Sequence, residues 1–326
     1  MLVSGGGRNC KGFSQIIKNN IEGIMRLGLI GLGLLLMASG ASGKSYIGVG
    51  VIDAKFHAIE HDRYYESDSN QLKQVKFGYT DKSKFEIFGD LGVSTDNEVQ
   101  DYALGVLLDD WLVQVENVRL SGRILQEDTD IELGTFDNDY KRIDILKKPD
   151  MLGFAFGIAY QEYAVPKLFE YNKGGEIDYL NTIYLQDDAV EVKSIGLGVH
   201  YDPIRNFALR GFDFERGYLT FKNDWYVSSV TIFSLGKITT SDAPDMQAYK
   251  QDNKSKTLPG IQGNYELGWM IGQFNDDFSY ILNIGYHLRS SMFFNDPERK
   301  AEPGGINFEA PLTIIHGPTV GFTASF

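Results

Sequence analysis

Three shortages narrow the field. The 326-residue chain holds one cysteine, Cys10. It lies ahead of the leader described below, so the rest has no disulfide framework, no thiol nucleophile and no cysteine-based metal site. Positive charge is also short, with 31 lysines and arginines against 44 acidic residues. A net charge of −13 argues against a nucleic-acid binder, which needs a basic face. Finally, the most apolar run, "LGLIGLGLLLMA" from Leu27 to Ala38, is about a dozen residues, short of the ~20 that cross a bilayer as a helix.

That run follows Met25-Arg26 and precedes the small residues Ser39 to Gly43. A positive start, a short apolar stretch and a small-residue exit describe a secretory signal peptide, with Ala41 and Gly43 at the −3 and −1 positions. Residues 1–43 are expected to be leader and signal peptide, with Met25 as an alternative start. Residues 44–326 are expected to form one domain.

What is abundant is glycine (36 residues), tyrosine (18) and phenylalanine (21), a composition that favours strands joined by tight turns. Alternation at period two recurs after residue 44, with no long stretch at helical period. In 99–109, Tyr102, Leu104, Val106 and Leu108 oppose Asp101, Ala103 and Gly105. In 151–161, Phe154, Phe156, Ile158 and Tyr160 oppose Ala155, Ala159 and Gln161. Residues 261–272 and 278–289 set Leu267, Ile271, Leu282 and Ile284 against Gln262, Glu266, Ser279 and Asn283.

Runs of ten to fourteen residues exceed the usual soluble strand and match the ~9–11 of a tilted membrane-spanning one. Fourteen strands are expected: 45–54, 71–80, 84–93, 99–108, 111–121, 129–137, 151–162, 177–186, 190–201, 206–222, 225–238, 261–274, 277–290 and 311–326. Short turns fall at 80–83, 109–110, 187–189, 223–224 and 275–277. "LLDDWLVQV" and "FKNDWYVSS" read as one device used twice, two polar turn residues and then Trp. The long polar stretches 55–70, 163–176, 239–260 and 291–310 all fall on one side, as in membrane barrels with both ends on the other. Residues 138–150 are too long for a turn on the short side, so the count carries a range of 12–16.

The last residues, "IHGPTVGFTASF", alternate up to Phe326. A membrane barrel must close, because an open edge in lipid leaves backbone groups unpaired at several kcal/mol each. The last strand is therefore expected to pair with the first, with Val320, Phe322, Ala324 and Phe326 outward.

These features resemble the bacterial outer-membrane β-barrel proteins, and the length is similar to small monomeric porins of 12–14 strands. The resemblance implies an all-β, closed antiparallel transmembrane barrel in the outer membrane of a Gram-negative bacterium. It also implies contact with membrane lipid and lipopolysaccharide. Phe322 and Phe326 resemble the terminal signal read by the outer-membrane assembly machinery.

Alternation assigns Lys76, Lys84, Glu86, Asp90, Asp101, Glu116, Asn264, Glu266, Asn283, His287 and Arg289 to the lumen. Charges of both signs there suit a passive, porin-like channel for small polar solutes or ions. The rival readings are a surface barrel acting through its long loops as an adhesin or structural component, a barrel hydrolase, and a secreted soluble β protein. Catalysis is not expected: His287 and Ser290, three apart on a strand, face opposite ways. His57 and His61 beside Glu60 and Asp62 read as solvated loop rather than a metal site. Gly48-Val49-Gly50 and Gly196-Leu197-Gly198 lack the strand-turn-helix setting of a nucleotide loop. No cofactor is expected.

Overall fold

The computed structural model describes residues 43–60, 63–67, 70–81, 85–94, 99–126, 132–148, 153–171, 182–213, 217–240, 255–294 and 312–326. Residues 1–42 of the expected leader, residue Lys84, and His61 with Asp62 lie outside these.

Three short strands and nine long ones make the wall. β1 (Lys44–Glu60) pairs through its first half with β3 (Asn70–Thr80), and through its second half with a small strand, β2 (Arg63–Ser67). β4 (Phe85–Ser94) and β5 (Val99–Leu108) are as short as β3. Then come β6 (Trp111–Gln126), β7 (Glu132–Lys147), β8 (Phe154–Tyr171) and β9 (Thr182–Tyr201). A helix, α1 (Pro203–Arg210), and a small hairpin of β10 (Phe212–Asp213) and β11 (Gly217–Tyr218) interrupt the series. β12 (Phe221–Thr240), β13 (Ser255–Gln273), β14 (Ser279–Phe293) and β15 (Leu312–Ser325) complete it.

All neighbours are antiparallel, and β15 pairs with β1 from Tyr46 opposite Ser325 to Ile59 opposite Leu312. Ser45 and Phe326 exchange two backbone hydrogen bonds of 2.8 Å. The ring is therefore closed, in the order β1, β3 to β9, β12 to β15. Its twelve strands lie at the low end of the expected range and two below the count of fourteen.

Both surplus strands came from false turns. Asp187 to Ala189 lie within β9, where three residues stand against the single Pro166 of β8 and the register shifts. Proline cannot donate to a ladder, and a bulge is where a sheet tolerates it. Asn223-Asp224 lie inside β12, in register with Ile271 and Met270. The segment 206–222, expected as a strand, opens with the helix. Asp202 caps that helix, its Oδ1 accepting from Arg205 N at 3.0 Å, and Pro203 starts it. Gly211 ends it at φ 61°, a left-handed position that favours glycine. The 138–150 connection is mostly strand: β7 runs to Lys147. Residues 202–205 lie at the end where the termini meet.

The expected facing holds on every strand quoted above. Leu104, Ile158, Leu267, Ile284, Val320 and Phe322 are exposed outside, while Ala103, Ala159, Gln262 and Asn283 are buried inside. The outward apolar residues form a belt. At its near edge, by the termini, lie all three tryptophans: Trp111, Trp225 and Trp269. The last two meet edge to face at 5.4 Å, and Trp269 Nε1 donates to Asn223 Oδ1 at 2.9 Å. Toward the far end of β6 to β9 the outward positions turn charged, and Arg119–Asp137, Lys193–Glu191 and Lys193–Glu162 pair there.

At that far end the ring narrows. β3, β4 and β5 stop early, and β2 alone bridges β1 to β6 through Tyr65 to Ser67 against Ile124 to Gln126. One strand replaces three, so twelve become ten.

Candidate functional site

The interior is layered along the axis. The first layer is the helix. Alternation forces Tyr46, Phe88, Leu112 and Leu146 inward, and Leu209 of α1 packs on them. On the other side Phe207 and Ala208 pack on Tyr226, Met270, Phe274 and Ile281. Ser325 Oγ donates to Ala208 O at 2.7 Å. The helix thus touches facing walls and fills the near mouth as a plug.

Polar bonds fasten it. Glu86, 1% exposed, accepts a hydrogen bond from Arg210 Nη2 at 3.4 Å and is ion-paired with Arg205 Nε at 3.2 Å and Lys148 Nζ at 3.9 Å. Arg205 also lies over the Phe88 ring, 3.7 Å from its centre. Lys148 Nζ donates to Asn206 Oδ1 at 3.2 Å, and Asn206 Nδ2 donates to Gly153 O at 2.8 Å. Lys148 stands in the turn after β7, and burial under the plug pushes its ammonium down to about 8, against the pull of Glu86.

Beyond the helix the lumen is charged. A chain of contacts runs from His200 Nε2 to Asp144 (3.2 Å), from Asp144 to Arg142 Nε (2.9 Å), from Arg142 Nη1 to Glu116 (2.9 Å), and on to Arg289. β6 and β14 stand six places apart in the ring of twelve, so the Glu116–Arg289 pair crosses the lumen like a bar. Glu266 accepts from Tyr226 and from Asn283 Nδ2 (3.1 Å), and Lys76 lies 3.8 Å from Asp90.

Between plug and bar is a cavity of about 160 Å³, lined in part by Lys76, Asp90, Asp101, Asn264, Glu266 and His287. Past the bar, Tyr163, Val190, Val192, Ile238, Leu258 and Phe293 form an apolar cluster inside the far half. The Phe293 ring fills the space that a Cβ would take at Gly236 and Gly260, which explains both glycines.

Of the expected lumen residues, Glu86 belongs to the plug fastening, Glu116 and Arg289 to the bar, Asn283 to the Glu266 group, and the rest described here to the cavity wall. His287 faces the cavity, and Ser290 falls on the other face of β14. Arg142, Asp144, Lys148, His200, Arg205 and Arg210 were missed. Arg142 and Asp144 lay in the supposed connection, though Ile143 and Ile145 kept period two there. Arg210 lay in the supposed strand 206–222 and Arg205 in the connection just before it, though Asp202-Pro203 is a helix-start signal. Among the described residues no group of His, Cys, Asp and Glu has a metal-ligating arrangement.

No protein-family model and no curated protein matches the chain. Among solved structures, the outer membrane protease OmpT from Escherichia coli matches 87% of this chain and 96% of its own, at 9% identity and a TM-score of 0.26. The Pseudomonas putida toluene transporter TodX matches 87% and 89%, at 8% identity and 0.27. The outer membrane protein opdK from Pseudomonas aeruginosa matches 87% and 99%, at 10% identity and 0.19. Likeness at this level carries no argument. The closed ring, the apolar belt and the polar interior carry it. The chain has the fold of an outer-membrane β-barrel.

Proposed function

We propose that this barrel sits in the bacterial outer membrane, exported through a cleaved signal peptide, as a passage for small polar solutes or ions. In the conformation described, α1 keeps its near mouth shut. The carrying observation is the contrast between an outward belt fit for lipid and an inner wall rich in charge. An interior with buried polar atoms lacking partners, Gln161 and Ser194 among them, demands water or solute. Lipid and lipopolysaccharide would cover the belt, and the assembly machinery would read Phe322 and Phe326. No catalytic role is proposed for His287.

Planar-bilayer recording tests the passage. The unmodified protein is expected to conduct rarely. Glu86→Gln removes the charge that three cations share, and should raise the open fraction severalfold. Replacing 203–210 with a Gly-Ser linker should raise conductance further. If neither variant conducts more than the parent, the passage reading fails. The surface-barrel reading then takes its place, since the Glu116–Arg289 bar and the apolar cluster of the far half already favour a filled barrel.

A further inference from the structure

The plug fastening crowds cations. Arg205, Arg210 and Lys148 gather on the one carboxylate of Glu86. Of the three, only the lysine can give up a proton, since a guanidinium stays charged in proteins. A lysine that is desolvated and set beside other cations becomes a nucleophile. Lys148 meets both conditions. Burial, with Arg205 and Arg210 adding to it, brings its ammonium down to about 8, which leaves roughly a tenth of it as free amine at pH 7.

Lys148 Nζ lies nearer to an amide than to a charge: 3.2 Å from Asn206 Oδ1, against 3.9 Å from Glu86 Oε2. The amide is gripped from its other end, where Asn206 Nδ2 donates to Gly153 O at 2.8 Å. These two contacts fix which way the amide points. A lysine only donates, so it meets the oxygen; a backbone carbonyl only accepts, so it meets the nitrogen. Adding a carbonyl bond of about 1.2 Å to the 3.2 Å contact, the amide carbon lies at most about 4.4 Å from the amine. A further approach of about 1 Å brings the pair to attacking distance. Lys148, Asn206 and Glu86 are all buried, so water does not compete with the amine.

We infer that Lys148 and Asn206 join in an isopeptide bond that ties α1 to the barrel wall. Lys148 first passes one ammonium proton to Glu86, and the freed Nζ attacks Asn206 Cγ. An N–C bond forms while the carbonyl oxygen takes up negative charge. Glu86 relays protons from Nζ to Nδ2 as general acid and base. The carbonyl re-forms, the C–Nδ2 bond breaks and ammonia leaves. Ammonia carries off the last proton as ammonium, so Glu86 ends as it began and nothing is oxidised or reduced. The bond also removes one of the three cations crowded on Glu86. It stands apart from the passage reading, because α1 would be tied in an open channel and in a filled barrel alike.

Mass spectrometry of the full chain folded in detergent tests it. The folded chain should be lighter by one ammonia than the same chain kept in urea and never folded. After trypsin, the peptide Asn206–Arg210 should appear joined to the peptide that begins at Lys148. Refolding the urea-held chain into micelles should bring on the same loss. Lys148→Arg keeps the charge and Glu86→Gln keeps the shape, and neither should form the link. Asn206→Asp should form it with loss of water in place of ammonia. Heat-modifiable migration on gels checks that each variant is folded. Three results would each overturn the assignment: a folded parent at full mass with Asn206–Arg210 free; ammonia lost but the two peptides separate, as a cyclic imide would give; or a link that forms as fast in folded Glu86→Gln.

Discussion

The barrel has a low wall and a tall one. β3, β4 and β5 run ten or eleven residues, enough to span the belt and little more. β6 to β9 and β12 to β14 run fifteen to twenty. The low wall contributes Lys76, Asp90 and Asp101, which face the cavity and keep part of their surface. The tall wall closes over its own interior with an ion-pair chain and an apolar cluster. Length decides this. A strand that only spans lipid leaves its inner residues at the solute's level, whereas one that projects into water must cover both its faces. The inner face then packs as a small core, and the outer face carries the charged collar.

The sharpest way to break the comparison is to delete one carboxylate from each wall. Glu116→Ala strands Arg142 and Arg289 in the tall wall, where both are nearly buried. Breaking such a pair costs about 3–5 kcal/mol. Asp90→Asn in the low wall loosens only a 3.8 Å contact between partly exposed side chains. Its cost should stay within about 1 kcal/mol. Guanidinium unfolding in micelles, followed by tryptophan fluorescence, compares the two. Equal losses would mean the walls are energetically alike.

The belt itself gives the next effect. Leu197, on β9, is 67% exposed and faces outward between Ile195 and Val199. Leu197→Arg should cost about 2–4 kcal/mol if that position lies near the bilayer midplane. Unfolding from liposomes is the measurement. A loss of a few tenths would place Leu197 outside the lipid and shift the belt.

The same division explains what could be read from the sequence. The low wall was legible almost to the residue: 71–80, 84–93 and 99–108 against Asn70–Thr80, Phe85–Ser94 and Val99–Leu108. Apart from Gln71, Lys73 and Gln100 toward the far edge, its outward positions hold apolar residues or glycine, so period two shows clearly. The tall wall leaves the lipid midway, and its outward positions turn polar. In β7 the exposed Asp137, Asp139 and Lys141 alternate with inward Tyr140, Arg142 and Asp144, so neither face is apolar and the strand reads as loop. In β9 the bulge opposite Pro166 mimics a turn. The site fared likewise. Inward residues of the low wall were named, and so were Glu116, Glu266 and Arg289 where the tall wall alternates clearly. The plug escaped, because eight helical residues are too few for a period to show.

The smallest effect belongs to the collar. Arg119 meets Asp137 through two parallel bonds, Nε to Oδ1 at 2.8 Å and Nη2 to Oδ2 at 2.5 Å, on neighbouring strands. Both side chains are about half exposed, at 47% and 48%. Water screens them, so the good geometry adds little, and Arg119→Ala should lower stability by about 0.2–1 kcal/mol. The loss should shrink as salt rises, since exposed charges are screened over about 10 Å at 0.1 M. A double-mutant cycle with Asp137→Ala, run at low and high salt, isolates the pair. The Glu116 deletion, out of reach of salt, should keep its full cost across the same series. A salt-independent Arg119–Asp137 coupling above about 2 kcal/mol would mean the pair is buried in the membrane. The tall wall would then not project beyond the belt, and the contrast between the two walls would lose its physical cause.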